Sequence, residues 1–108
     1  MNNLTPSEFY LGQNYPNPFK EKTVIKYCVA YRSRVKITVY NSEGQLIEVL
    51  LDEEKNAGTY EIEFSAVKYQ YSSVPEGEGK EKNLNEGNYY YRLEAGNYSN
   101  LKKMILQK

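Results

Sequence analysis

The sequence predicts an all-β domain, built as an antiparallel sandwich of about seven strands. Three observations predict this fold class. The chain has 108 residues, the length of a single domain. Its 12 tyrosines add to the β-branched residues, and both types favour strands. Apolar and polar residues alternate with a period of two, in segments separated by turn signals every ~8–12 residues.

The first residues are expected to lead into the domain rather than to belong to it. Residues 1–8 are polar and predict a linker or leader, so the domain is placed at residues 9–108. Residues 9–19 are predicted to be extended, because Pro16 and Pro18 fix their own φ and disfavour helix just before them. Proline donates no ladder hydrogen bond, so this segment is expected at a sheet edge or across one end of the sandwich.

Four segments carry a period-two alternation that predicts a shared core. Each places three apolar residues on one face and mostly polar residues on the other. Because one face of each strand must be buried, we expect the twelve apolar side chains to meet between two sheets. They are Ile25, Tyr27, Val29, Val35, Ile37, Val39, Tyr60, Ile62, Phe64, Tyr89, Tyr91 and Leu93.

A hairpin is predicted in the middle of the chain. Residues 41–44 form a turn in which Gly44 can adopt a positive φ, joining a strand at 35–40 to one at 45–51. The apolar residues within 45–55 also fit one face of a helix. That segment is short and directly follows the turn glycine, so the strand is favoured.

The second half of the chain is expected to contain one long loop and the last strand. Residues 72–86 have almost nothing to bury, which predicts an exposed, mobile loop. Alternation returns at Gly87, and a tight turn at Gly96 leads to a last strand at 101–106. The number of strands and the spacing of the turns are typical of an immunoglobulin-like sandwich.

Composition argues against several classes of function. The chain has no histidine, which removes histidine-based triads and histidine metal ligands. The single Cys28 cannot form an internal disulfide, and it is predicted to be an ordinary cysteine on the polar face of its strand. Fourteen basic and fourteen acidic residues balance, so no basic field attracts nucleic acid or anionic lipid. We therefore expect no enzyme, no cofactor, no metal site and no membrane span.

Three stretches of sequence occur in an order typical of one known family. They are residues 13–19 with 23–27, residues 35–41 with 44–45 and 57–58, and residues 87–93 with Gly96 and 102–108. Together they resemble the type A C-terminal sorting domains of the type IX secretion system, over about residues 11–108. Departures from the family pattern include Val29-Ala30, where Leu-Pro is usual, and Phe64, where tryptophan is common.

The resemblance implies a non-enzymatic immunoglobulin-like domain at the C-terminus of a larger exported protein. Such a domain would direct its N-terminal passenger through the periplasm to the cell surface or the medium. It would act as a monomer, by protein–protein recognition. Its partners would be the outer-membrane translocon and surface sortase proteins, which usually cleave the domain off or exchange it for a lipopolysaccharide anchor.

The resemblance also implies where the recognised signal lies. On the residues alone, 103–108 fits a last strand whose charged ends discourage aggregation. Both roles can hold, because a partner can add a strand beside an exposed edge and interact with alternate side chains. The implied recognition residues are Gly87, Tyr89, Tyr91, Gly96, Lys103, Met104, Ile105, Leu106 and Lys108.

Two other functions fit a sandwich of this size. A carbohydrate-binding or adhesive module would stack a ligand on exposed aromatic rings, for which Tyr69, Tyr71 and Tyr90 are the candidates. The immunoglobulin domain of flagellar hook caps shares much of the sequence pattern, which leaves an assembly domain of that kind as the nearest competitor within the fold.

Overall fold

The computed structural model describes residues 7–70 and 80–108, and within those ranges the protein is all-β. No helix in the described ranges is long and apolar enough to cross a membrane. The strands are β1 (Tyr10–Leu11), β2 (Lys22–Val29), β3 (Ser33–Asn41), β4 (Leu46–Lys55), β5 (Gly58–Ser65), β6 (Val67–Gln70), β7 (Lys80–Asn83), β8 (Gly87–Ala95) and β9 (Tyr98–Leu106).

Seven of these strands form the two antiparallel sheets of a sandwich. One sheet has the order β1-β2-β5 and the other has the order β4-β3-β8-β9, while β6 and β7 pair as a separate ribbon. The predicted immunoglobulin-like β-sandwich is confirmed. The helical alternative for residues 45–55 is wrong, because β4 pairs with β3 along its length.

The core lies between the two sheets and contains all twelve predicted residues. Ten of them are buried, and Tyr60 and Ile62 are partly buried against the same cluster. These two residues lie on β5, an edge strand of the smaller sheet, where cover is incomplete. Six further buried residues complete the core, namely Leu11, Phe19, Ala66, Ala95, Met104 and Leu106.

The loop predicted at 72–86 is wrong over four of its residues, because Lys80–Asn83 forms β7 and pairs with β6. Leu84 then donates its N–H to the carbonyl of Ala66 at 3.0 Å and packs against the core. This pairing uses backbone hydrogen bonds, which leave no apolar alternation to detect in the sequence. Residues 71–79, the rest of the segment before β7, lie outside the described ranges.

Candidate recognition surface at the terminal strand

The terminal strand β9 forms one edge of the four-stranded sheet. It pairs with β8 in a continuous register from Ala95↔Tyr98 to Gly87↔Leu106. The alternation of a strand sends Met104 and Leu106 into the core, where they are 0% and 1% exposed. Ile105 is half-buried on the opposite face, and Lys103 is exposed. The strand therefore offers a partner mainly its outward side chains.

The other side of β9 is covered by the proline-containing segment at residues 13–19, which we call the strap. The N–H of Phe19 donates to the carbonyl of Ile105 at 2.9 Å, and the N–H of Gln107 donates to the carbonyl of Phe19 at 2.8 Å. These two bonds form a parallel bridge between Phe19 and Leu106. The expectation of an exposed, unpaired terminal edge is therefore wrong at these residues.

Two side-chain amides of the strap extend this cover along β9. The Nε2 of Gln13 donates to the carbonyl of Lys103 at 2.8 Å. The Oδ1 of Asn17 accepts from the N–H of Ile105 at 2.9 Å. Four backbone groups, between the carbonyl of Lys103 and the N–H of Gln107, are thus hydrogen-bonded to the strap.

Buried contacts hold the strap in place. Phe19 is 1% exposed and meets Phe64 edge to face, with ring centroids 6.1 Å apart. The buried Asn14 donates from Nδ2 to the Oγ1 of Thr23 at 2.9 Å. Tyr15 exchanges both of its backbone hydrogen bonds with Val24, each at 2.9 Å. The strap is therefore part of the folded sandwich.

Tyr91, an implied recognition residue, is fully buried and connects the core to the strap. Its hydroxyl donates to the carbonyl of Gly12 at 2.7 Å and accepts the N–H of Asn14 at 2.8 Å. Burial raises its pKa to about 12, partly opposed by the hydrogen bond from Asn14. Tyr89 is also buried, and its hydroxyl donates to the carbonyl of Asn85 at 2.7 Å. Neither ring faces solvent.

The two implied glycines have conformational reasons for their identity. Gly96, in the turn between β8 and β9, has a φ of 58°, and Gly87, at the start of β8, has a φ of 145°. L-residues with side chains rarely adopt either value, so substitution at these positions strains the backbone. Both glycines therefore act through the backbone conformations that they allow at the two ends of β8.

Of the three tyrosines named as stacking candidates, Tyr90 has a side chain that the structure describes. Tyr90 is half-buried on the outer face of the four-stranded sheet. It lines an open cavity of about 410 Å³ with Tyr40, Arg92 and Leu101. Tyr71 and the side chain of Tyr69 lie outside the described part of the structure.

Among the residues that the structure describes, no cluster of acidic residues and cysteine could hold a metal ion. Cys28 is partly exposed on β2, with its Sγ 3.6 Å from the Oγ1 of Thr59. Its position on the polar face of the strand agrees with the sequence-based prediction.

The strand order and the core define an immunoglobulin-like domain in which the strap is bound to the terminal strand β9. A family model for the secretion system C-terminal sorting domain matches residues 13–73, just over half of the chain. The chain therefore belongs to the secretion system C-terminal sorting domain family, and the resemblance to type IX sorting domains is confirmed. No curated protein and no solved structure matches it. The family match includes the strap and ends before β8 and β9.

Proposed function

We propose that this domain carries a larger N-terminal passenger to the cell surface or the medium through protein–protein recognition, without catalysis. The observation that carries the proposal is the family match, which begins at the strap. The strap is hydrogen-bonded to β9, so the matched part of the chain and the implied terminal signal lie side by side. The partners are the outer-membrane translocon and surface sortase proteins, and the domain acts as a monomer.

Apart from the two glycines, the implied recognition residues fall into two groups with different roles. Met104, Leu106, Tyr89 and Tyr91 are buried, so they act by holding the terminal strand in position. Lys103, Lys108 and Ile105 retain exposed surface and are the groups that a partner would contact. Two lysines near a half-buried isoleucine fit a protein surface that offers carboxylates around an apolar depression.

The proposal is tested by fusing residues 9–108 to a reporter targeted to the periplasm, in a host with the secretion system. The reporter should reach the surface or the medium. Removal of residues 103–108 should leave it in the periplasm, but this deletion also takes Met104 and Leu106 out of the core. Loss of export after truncation could therefore reflect unfolding alone.

A pair of point substitutions separates recognition from stability. Lys103→Ala with Lys108→Ala removes two exposed positive charges from the terminal segment. Lys22→Ala with Lys36→Ala removes two exposed positive charges from β2 and β3 and is the matched control. The first pair should lower export several-fold at unchanged thermal stability, whereas the control pair should not. Equal export of both pairs would count against recognition at the terminal strand.

The open cavity beside Tyr90 favours one alternative function, carbohydrate binding or adhesion. Aromatic rings of Tyr40 and Tyr90 next to the guanidinium of Arg92 are suitable groups for stacking and hydrogen bonding to a sugar. Polysaccharide pull-down by the domain, lost in Tyr90→Ala and retained in Lys103→Ala/Lys108→Ala, would support this alternative over sorting.

A further inference from the structure

We infer that the strap stays docked on β9 during recognition, and that Gln13 and Asn17 are positioning residues that hold the edge of the sorting signal closed. The receptor then meets strap and strand as one folded surface and does not add a strand of its own at residues 103–107. This role rests on the proposed sorting function and specifies the form in which the signal is presented.

The first support is the hydrogen bonding at the edge of β9. Strand addition needs a row of unpaired N–H and C=O groups. The carbonyl of Lys103, both backbone groups of Ile105 and the N–H of Gln107 are already bonded to the strap. Next to them, the N–H of Leu101 is bonded to the Oδ1 of Asn100 at 2.8 Å. A receptor strand would have to displace the strap before it could pair here.

The second support is what displacement of the strap would expose. Phe19 and Asn14 are 1% and 2% exposed, so lifting the strap brings a buried ring and a buried amide into water. The hydroxyl of Tyr91 would lose the N–H of Asn14 at the same time. Docking therefore couples the strap to the core, and a receptor that leaves it docked avoids these losses.

The third support is the surface that the docked strap presents. Tyr15 is 79% exposed, and together with Gln13 it borders an open cavity of about 370 Å³. The same cavity is lined by Val24, Lys26 and Glu61. Across the strap, Lys103 is exposed on β9. A partner protein that inserts an apolar side chain beside Tyr15 and places a carboxylate near Lys103 fits this surface.

The inference is tested first with the double variant Gln13→Ala/Asn17→Ala, in the same reporter fusion. This variant removes the side-chain bonds to β9 and keeps the backbone bonds of Phe19. The matched control is Gln45→Ala/Asn56→Ala, which also removes one glutamine and one asparagine, each with an exposed side-chain hydrogen bond away from the strap and β9. Amide exchange at Ile105 should rise about tenfold in the strap variant, the expected effect of one lost hydrogen bond.

Export should fall about tenfold in the strap variant and stay near wild type in the control, with both proteins folded. Export at or above the wild-type level, together with faster exchange at Ile105, would overturn the inference. Unchanged exchange at Ile105 would overturn the positioning role itself. If the wild-type fusion is not exported, the proposed sorting function fails instead, and the exchange measurement still decides whether the amides close the edge.

A covalent lock gives opposite outcomes for a docked and a displaced strap. Asn17→Cys/Ile105→Cys, on a Cys28→Ser background, replaces the hydrogen bond between these two residues by a disulfide. The probe is outer-membrane vesicles from a secreting host. The reduced protein, which lacks the Asn17 amide and the Ile105 side chain, should bind them weakly. Oxidation restores the docking of the strap but not the contact of Ile105, and it should raise binding about tenfold above the reduced form. Loss of binding on oxidation would mean that the strap must leave, which overturns the inference.

Discussion

The two edges of the four-stranded sheet are protected in different ways. At one edge, β4 is interrupted by two register shifts against β3 and carries Asp52, Glu53 and Glu54 near its end. Bulges and charges of this kind discourage edge-to-edge pairing without any covering segment. At the other edge, β9 is covered by the strap, which contacts it through backbone bonds and two side-chain amides.

The protection of β4 depends on residues of that strand itself, whereas the protection of β9 depends on tertiary contacts. The charges of β4 act at their own positions, so their removal should affect association more than folding. The cover of β9 depends on buried groups such as Phe19 and Tyr91, so its removal should affect folding directly. The edge that carries the implied signal is thus the edge that is coupled to the core.

The largest expected effect comes from the anchor of the strap. Phe19→Ala empties a fully buried position against Phe64 and should lower the free energy of unfolding by about 3–5 kcal/mol. Leu46→Ala on β4 is the matched control, because Leu46 is 58% exposed and should lose less than about 0.5 kcal/mol. Urea unfolding measures both. Similar losses at the two positions would remove the difference between the edges.

Alkaline pH should weaken the strap edge through its buried phenol. The pKa of Tyr91 is raised from 10.0 to about 12 by burial. Between these values the unfolded chain loses a proton that the folded chain keeps, so the stability present below pH 10 falls as the pH rises. The slope for one tyrosine is about 1.4 kcal/mol per pH unit.

The same measurement has an internal control. Burial also raises the pKa of Tyr27 to about 12 and raises the pKa of Tyr89, so the wild-type slope should contain three contributions. Either Tyr91→Phe or Tyr27→Phe should lower the slope of unfolding free energy against pH above pH 10 by about 1.4 kcal/mol per pH unit. A slope that is the same in all three proteins would contradict the burial of these hydroxyls.

At neutral pH, the hydroxyl of Tyr91 can be removed by itself. Tyr91→Phe leaves the N–H of Asn14 and the carbonyl of Gly12 without their buried partner and should cost about 1–3 kcal/mol. Tyr60→Phe, which removes an exposed bond of 2.7 Å to the carbonyl of Asn56, should cost about 0.5 kcal/mol or less. Thermal unfolding compares the two variants, and an equal loss would mean that the strap bond is worth no more than a surface bond.

The parts of the fold that the sequence predicts are those in which apolar and polar residues alternate regularly along a strand. Strands β2, β3, β5 and β8 each carry three core residues at every second position, and all twelve of these residues join the core or pack against it. In β4, the two register shifts against β3 break the period, so its apolar residues also fit a helix. In β7, charged residues pair through the backbone and leave no apolar signal.

The candidate recognition surface, like the fold, could be predicted from the sequence only in part. The inward position of Met104 and Leu106 follows from alternation, and the extended strap follows from Pro16 and Pro18. The bond from Gln13 to Lys103 joins residues 90 positions apart through an amide and a carbonyl. No local pattern encodes such a pair, so the closed edge of β9 could be found only in the folded structure.

The smallest effect on stability, with a distinct effect on association, is expected at β4. Asp52→Ala/Glu54→Ala removes two exposed salt bridges, to Arg34 at 2.9 Å and to Arg32 at 3.3 Å. Exposed pairs contribute little, so the free energy of unfolding should change by less than about 1 kcal/mol. The edge of β4 also loses two charges that oppose strand pairing, so self-association should increase with protein concentration.

The matched control for association is Glu43→Ala/Glu94→Ala, which removes two exposed carboxylates from the hairpin turn and from the interior strand β8. Both double variants change the net charge by the same amount, so a general loss of repulsion would affect them equally. Sedimentation velocity over a range of concentrations should show oligomers for the β4 variant alone. If both variants associate to the same degree, net charge rather than the position of Asp52 and Glu54 opposes self-association, and β4 is not protected as an edge.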